Sequence, residues 1–304
     1  MASSVAADRI VQRNFVQAML EGGGKAPRCM RWVVEPGVQS FRVGQGAFGG
    51  IGATLSRTAT SASNSDYFTF ETSHALDMKV IKHTVPEHTM RSDTGFASAG
   101  RQMADAAVGT LDKIAFDGLE GLFSLAHPRA GAGAGQVGAG KKYIDTGLAY
   151  LQTEAGAGTQ DNLLTAALSE TSLNAAIKLL ALQRSDRGVA LNNGTNGGLV
   201  LVVDPLNMQL AHELTKSALS GADNQSNFLR GQFADVVVYP LTTDADDWFL
   251  VDLKNAPVGM VLGTLPTVTM SMTTDGLFVE LVAKVECVFF TNPYETGIIG
   301  SNVA

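Results

Sequence analysis

What this chain has little of narrows its function first. Only 17% of its 304 residues are charged, and no basic run exceeds a lysine pair. Its net charge is −7, which argues against a dedicated nucleic-acid binder, because neutralising phosphates takes clustered Lys and Arg. There are two cysteines, Cys29 and Cys287, far apart and without metal or redox spacing, which suits a reduced compartment. The opening MASSVAADRIVQRNF has no apolar signal core, and no stretch approaches ~18 uninterrupted apolar residues. The expectation is a soluble, non-secreted protein. No GxSxG occurs, neither cysteine has a histidine partner placed by sequence, and no fixed-period repeat is visible. What the chain does have is 45% hydrophobic residues and 33 glycines. That is enough for a sizeable core in one large or two ordinary domains.

Several short motifs suggest chemistry and fail on context. Residues 131–142 read GAGAGQVGAGKK, which contains both the phosphate-loop spacing GxxxxGK and the dinucleotide spacing GxGxxG. Both motifs need a strand before the loop and a helix after it. Here the loop follows a helical stretch, and Lys142 stands where a Ser or Thr would hold magnesium. With so many glycines, chance matches are expected, so the stretch reads as an adaptable connection. His212-Glu213-Leu214-Thr215-Lys216 starts like HExxH, but Lys216 replaces the second histidine, and one ligand holds no zinc. His74, His83 and His88 suit no common metal spacing. Asp244–Asp247 lacks the Gly and terminal Glu of a calcium loop. The sequons at Asn193 and Asn224 mean little without a secretory route. No catalytic, cofactor or metal site emerges.

The order of elements says more. Residues 8–20 have helical apolar spacing, and the Gly/Ser/Ala/Thr-rich run that follows cannot offset its ordering entropy alone. Residues 67–92 read as extended chain. Residues 95–127 form the longest predicted helix, with Met103, Ala107, Leu111, Ile114, Ala115, Leu119, Leu122 and Phe123 on one face and Pro128 as its stop. Arg101, Asp105, Asp112, Lys113, Asp117 and Glu120 occupy the other face. Ser169 to Ser172 opens a helix running to Leu182. LVLVVDP (199–205), ADVVVYP (234–240) and DWFLVDL (247–253) read as buried strands, and a helix over 207–219 puts Met208, Leu210, Ala211, Leu214 and Leu219 on its apolar side. A long strand over 276–291 alternates through Val279, Leu281, Ala283, Val285 and Cys287. Mixed helices and strands without strict βαβ order indicate α+β.

In this order the chain resembles the major capsid proteins of tailed bacteriophages with the Hong Kong 97-type fold, and among them the Mu-like head proteins. Gly95 to Ala126 looks like that fold's spine helix. Thr171 to Leu182 followed by GLVLVVDPLNMQLAHEL resembles its helix, strand and helix. ADVVVYPLTTDADDWFLVDL is similar to a recurring part of its axial domain, and Gly276 to Ser301 to its closing strand and tail. The resemblance implies an N-terminal arm (1–65), an extended β-hairpin loop (66–93), a spine helix with the first part of the peripheral domain (94–160), an axial domain (161–258), and peripheral return strands with the tail (259–304).

It further implies a non-enzymatic subunit without cofactors, forming hexamers and pentamers of an icosahedral shell around double-stranded DNA that is contacted non-specifically. A separate scaffolding protein, a portal and a decoration protein are the expected partners. There is no membrane partner, and assembly is expected in the host cytoplasm with the product in the virion. Phe68, Phe70, Lys79, Lys82, Arg91, Arg101, Asp105 and Trp248 are the candidate inter-subunit contacts. The rival readings are an encapsulin-like nanocompartment shell and a nucleotide-binding α/β protein using Lys141. Some family members join subunits covalently through a loop Lys and a peripheral Asn. Lys79 and Lys82 are present here, but the turn Thr273-Thr274-Asp275-Gly276 has no Asn. The expected outcome on denaturing gels of mature particles is a single monomer band, and a covalent ladder would refute it.

Overall fold

Five consecutive apolar residues such as LVLVV suit only a strand covered on both faces, and the architecture is arranged to supply those covers. A computed structural model describes residues 11, 13–15, 24–35, 40–46, 69–88, 93–131, 136–150, 158–185, 190–191, 193–194, 197–217, 227–241 and 244–303. The elements run β1 (Arg31–Val34), β2 (Ser40–Gly46), β3 (Thr69–Ala75), β4 (Asp77–Pro86), α1 (Asp93–Gly121), β5 (Leu148–Tyr150), β6 (Gly158–Gln160), β7 (Leu163–Leu164) and α2 (Glu170–Leu182). They continue with β8 (Leu199–Val203), α3 (Met208–Lys216), β9 (Phe233–Val238), β10 (Trp248–Asp252), β11 (Val258–Met272), β12 (Phe278–Thr291) and β13 (Ile298–Ser301).

Two sheets share the work. One has the order β1-β11-β12-β4 and the other β7-β13-β10-β8-β9. In β12 the residues Val279, Leu281, Ala283, Val285 and Cys287 are buried, as their alternation predicts. The five-stranded sheet is buried on both faces. Val200, Val202, Val237, Phe249, Val251 and Ile298 belong to a core shared with α1. Leu199, Leu201, Val203, Trp248, Leu250 and Ile299 belong to a second core with residues of α2 and α3. Helix α2 opens with the expected reciprocal cap between Ser169 and Ser172.

Five expectations need correction. The extended hairpin is not 66–93: β3 pairs antiparallel with β2, while β4 pairs with β12 in the four-stranded sheet. Alternation reveals a strand but not its partner. The N-terminal 65 residues are not wholly an arm either, since β1 pairs in parallel with β11 and Val11, Phe15, Ala26, Cys29 and Met30 are buried. Asp112, expected on the outer face of α1, is buried because it accepts from the Lys25 and Ala26 N–H groups, both at 2.9 Å, and so holds this segment on the helix. Glu120 is buried as well. The helix stops at Gly121 rather than at Pro128, where Leu122 turns into the core. Finally, β13 leaves the return strands to pair with β10 and β7, so the tail closes the five-stranded sheet.

Where the two sheets join, charge is buried. The links 253–257 and 292–297 each connect one sheet to the other, and Glu295 lies fully buried on the second. Its Oε2 accepts from His127 Nε2 (3.0 Å) and an Arg129 terminal nitrogen (2.8 Å), and its Oε1 from Gln160 (2.9 Å). His127 Nδ1 accepts the Arg129 N–H, so the ring carries its proton on Nε2 and donates as a neutral group. Arg129 also donates to the Pro293 carbonyl and lies over the Tyr294 ring. Tyr143 donates to the Asn292 carbonyl at 2.9 Å, and burial pushes its phenol well up, so it remains a donor. For Glu295, burial works to raise the pKa, but the charge of Arg129 and the hydrogen bond from His127 outweigh it and hold the carboxyl well below the usual range.

Two outcomes follow from this packing. A methyl group at Gly118 would overlap the Phe289 ring, whereas Gly109 of the same helix faces open space. Gly118→Ala is expected to destabilise by about 1–3 kcal/mol and Gly109→Ala to stabilise by up to ~1 kcal/mol, measured by urea denaturation. Arg129→Met strands a buried charge and is expected to cost about 3–5 kcal/mol at neutral pH. Because the folded Glu295 pKa is depressed, its contribution is present above the ordinary carboxylate value of about 4.3 and is lost as pH falls below it. Glu295→Gln is therefore expected to flatten the acid limb of the stability profile, and an unchanged limb would contradict this account.

Candidate inter-subunit surfaces

Strand β4 is an edge of its sheet, and its two faces differ. Ile81 and Val85 face inward, with Ile81 against the core and Val85 in it. Met78, Val80, Lys82 and Thr84 are exposed, Met78 and Val80 by 55% and 48%. Lys82 pairs with Glu280 of β12 at 3.3 Å. Lys79 falls on the inward-facing side of the strand and pairs at 3.5 Å with Asp77 at its rim. In register with the outward residues stand Val282 and Lys284 of β12 and Thr267, Thr269 and Ser271 of β11. The result is an apolar-centred sheet face with charges of both signs around it. On α1, Arg101 and Asp105 are exposed one turn apart.

The hairpin β2–β3 is tied to the four-stranded sheet at its base. Thr72 donates to the Thr291 carbonyl (2.9 Å), and His74 Nε2 lies 3.3 Å from the same oxygen. Burial lowers the His74 pKa, opposed by that hydrogen bond. Phe70 lies on β3 opposite Gln45, while Phe68 and Arg91 fall outside the described residues. Trp248 leaves the set of contact candidates. It is wholly buried and its indole donates to the Ala166 carbonyl at 3.0 Å, so it has no surface to offer a neighbour.

Two apolar patches escaped sequence reading. Met208 and Leu210, expected to pack inward from α3, are exposed, as is Leu206 (80%) just before the helix. Only Ala211 and Thr215 are buried on that helix, because its cover on the sheet is one small-residue stripe wide. At the turn between β11 and β12, Met272, Leu277 and Phe278 are also exposed. A helical wheel shows which residues are apolar, not how broad a stripe the neighbour covers. Patches of this sort, where polar residues would serve a free monomer, mark association surfaces.

The glycine-rich stretch offers less to a ligand than its motifs suggest. It follows the turn after α1 and leads to β5. Val137 is buried, and Lys141 is engaged within the chain by the Thr146 carbonyl and Asp145. Residues 132–135 lie outside the described residues. Among the described residues no three His, Cys, Asp or Glu side chains are grouped to hold a metal ion. None of the described helices is long and apolar enough to cross a membrane.

The family model described as phage capsid protein matches residues 87–286, about two-thirds of the chain. No curated protein matches in sequence. Among solved structures, the mature capsid of bacteriophage PhiM1 is similar at TM-score 0.54 and 11% identity, covering 91% of this chain and 86% of that one. A virus-like particle from Pyrococcus furiosus is similar at TM-score 0.53 and 13% identity, covering 96% and 97%. The capsid of the native GTA particle follows at TM-score 0.52 and 12% identity, covering 91% and 89%. At these identities the likeness is one of fold, the α+β Hong Kong 97-type fold. With the family match spanning α1, most residues of both cores and most of β12, the chain belongs to the phage capsid protein family.

Proposed function

We propose that this capsid protein is the major subunit of an icosahedral head, whose copies form hexamers and pentamers around the double-stranded genome of a tailed phage. The observation that carries the reading is the uncovered apolar surface of a lightly charged subunit. Met78 and Val80 on the outer sheet face, Leu206 and Met208 around the start of α3, and Leu277 at the hairpin turn all stay bare in the single chain. Burial of such surface stabilises by roughly 25 cal/mol per Å², which gives copies a reason to associate. Phe68, Phe70, Lys79, Lys82, Arg91, Arg101 and Asp105 are proposed as inter-subunit contacts. The role is structural rather than catalytic. A separate scaffolding protein, a portal and a decoration protein are the proposed partners, with assembly in the host cytoplasm. The net charge of −7 keeps contact with packaged DNA weak and non-specific.

The likeness to the Pyrococcus furiosus particle across nearly the whole of both chains favours a nanocompartment shell as the second reading. Electron microscopy of the purified full chain tests both. Icosahedral particles or capsomers are expected, and a stable small monomer at high concentration overturns both readings. Nucleic acid inside particles assembled in the phage host supports the head, and an enclosed enzyme supports the compartment. Val80→Glu places a charge on the outer sheet face and is expected to leave a folded subunit, by circular dichroism, that no longer forms particles.

A further inference from the structure

A cavity of about 610 Å³ opens where the two sheets join, within the range of roughly 300–1,000 Å³ typical of ligand pockets. It is walled by the start of β1, the segments after α2, and both links between the sheets, through residues such as Lys254 and Asn292. Three features describe what would fit. First, Arg31 and Lys254 both line it and both are exposed, and neither side chain has an acidic partner among the described residues. The described lining contains no carboxylate.

Second, the Asn292 side-chain oxygen is buried without a hydrogen-bond partner, although the Asn292 backbone is fixed at both ends, its N–H on the Pro257 carbonyl and its own carbonyl on Tyr143. The other lining amides behave differently: Asn255 donates to Asn193 at 2.8 Å. A buried acceptor left unsatisfied carries an uncompensated desolvation penalty, so the site calls for a donor. Third, Leu191, Leu253 and Ala256 supply an apolar wall.

We propose that this cavity binds an acidic peptide segment. Carboxylates meet Arg31 and Lys254, a backbone N–H of the peptide satisfies Asn292, and an apolar side chain lies on Leu253. An inorganic anion is too small for the volume, and a nucleic acid carries its N–H donors on the bases, a sugar away from the phosphodiester charge, whereas a peptide sets a backbone N–H beside each acidic side chain. The proposal does not rest on the shell reading, because binding is measured on the folded subunit.

The test uses the purified full chain and a fluorescein-labelled pentapeptide of alternating glutamate and leucine, followed by anisotropy at low salt. Saturable binding is expected. Replacing the glutamates by glutamine, or the protein by Arg31→Gln/Lys254→Met, is expected to weaken it about tenfold, as two partly exposed ion pairs allow. Lys178→Met/Lys216→Met, exposed on α2 and α3 and outside the lining, serves as a control that leaves binding unchanged. Absence of binding, equal binding by the glutamine peptide or by the double variant, or preference for an oligonucleotide of equal charge overturns the proposal. With binding confirmed, Arg31→Glu/Lys254→Glu locates the source. Folded subunits that no longer form shells assign the segment to a second copy of this chain, and normal shells assign it to a different protein.

Discussion

The structure depends on one buried charge. Glu295 sits without solvent on the link from β12 to β13, and the side chains that compensate it come from elsewhere: His127 and Arg129 from the turn beyond α1, and Gln160 from β6. A lone carboxylate in such a place would carry a desolvation cost of several kcal/mol. The stretch after the long helix must therefore be delivered to the junction of the two sheets with its donors in place. This makes the network a specificity device more than a source of stability, since a charge that is satisfied in only one arrangement penalises the alternatives. Tyr143, donating to Asn292 on the same link, extends the constraint to the edge of the cavity.

Helix α1 then acts as the shared wall. Its buried face joins residues of both sheets in one core, so neither sheet closes its hydrophobic interior without it. The hairpin β2–β3 stands apart from this arrangement. Its recorded ties to the body include Thr72 and His74 at Thr291, and hydrogen bonds of that kind contribute about 0.5–1.5 kcal/mol each.

Local signals carried well from sequence to structure, and non-local ones did not. The β12 alternation, the Ser169 cap and the LVLVV strand were legible because each rests on neighbours within a few residues. The pairing of β3 with β2 was not, because the short alternation of Phe41 and Val43 fades into glycine and strand propensity names no partner. Asp112 read as surface because its two donors lie far away in the chain. His127, Arg129 and Glu295 drew no attention at all, since a buried pair of charges separated by more than 150 positions leaves no spacing to recognise. The faint signal was the clustering of Pro and aromatic residues around them, at Pro128, Pro293 and Tyr294, which marks rigid turns. Among the contact candidates, Trp248 is withdrawn by its burial, because an aromatic in an apolar run is as suited to a core as to an interface.

Two kinds of contact are therefore available to this subunit, and ionic strength separates them. Added salt that screens charges weakens attraction to Arg31 and Lys254 at the cavity, because exposed pairs beyond about 8–10 Å lose most of their interaction at physiological ionic strength. The bare patches around Val80, Leu206 and Leu277 respond in the opposite sense where the anion is strongly excluded from protein surfaces, as sulfate is. An acidic chain with few charges can hold a shell together through its apolar patches while keeping a cationic cavity free to select among acidic partners. The cavity and the bare patches use different residues, so where the peptide comes from another protein, affinity for copies of itself and choice of that peptide can change independently.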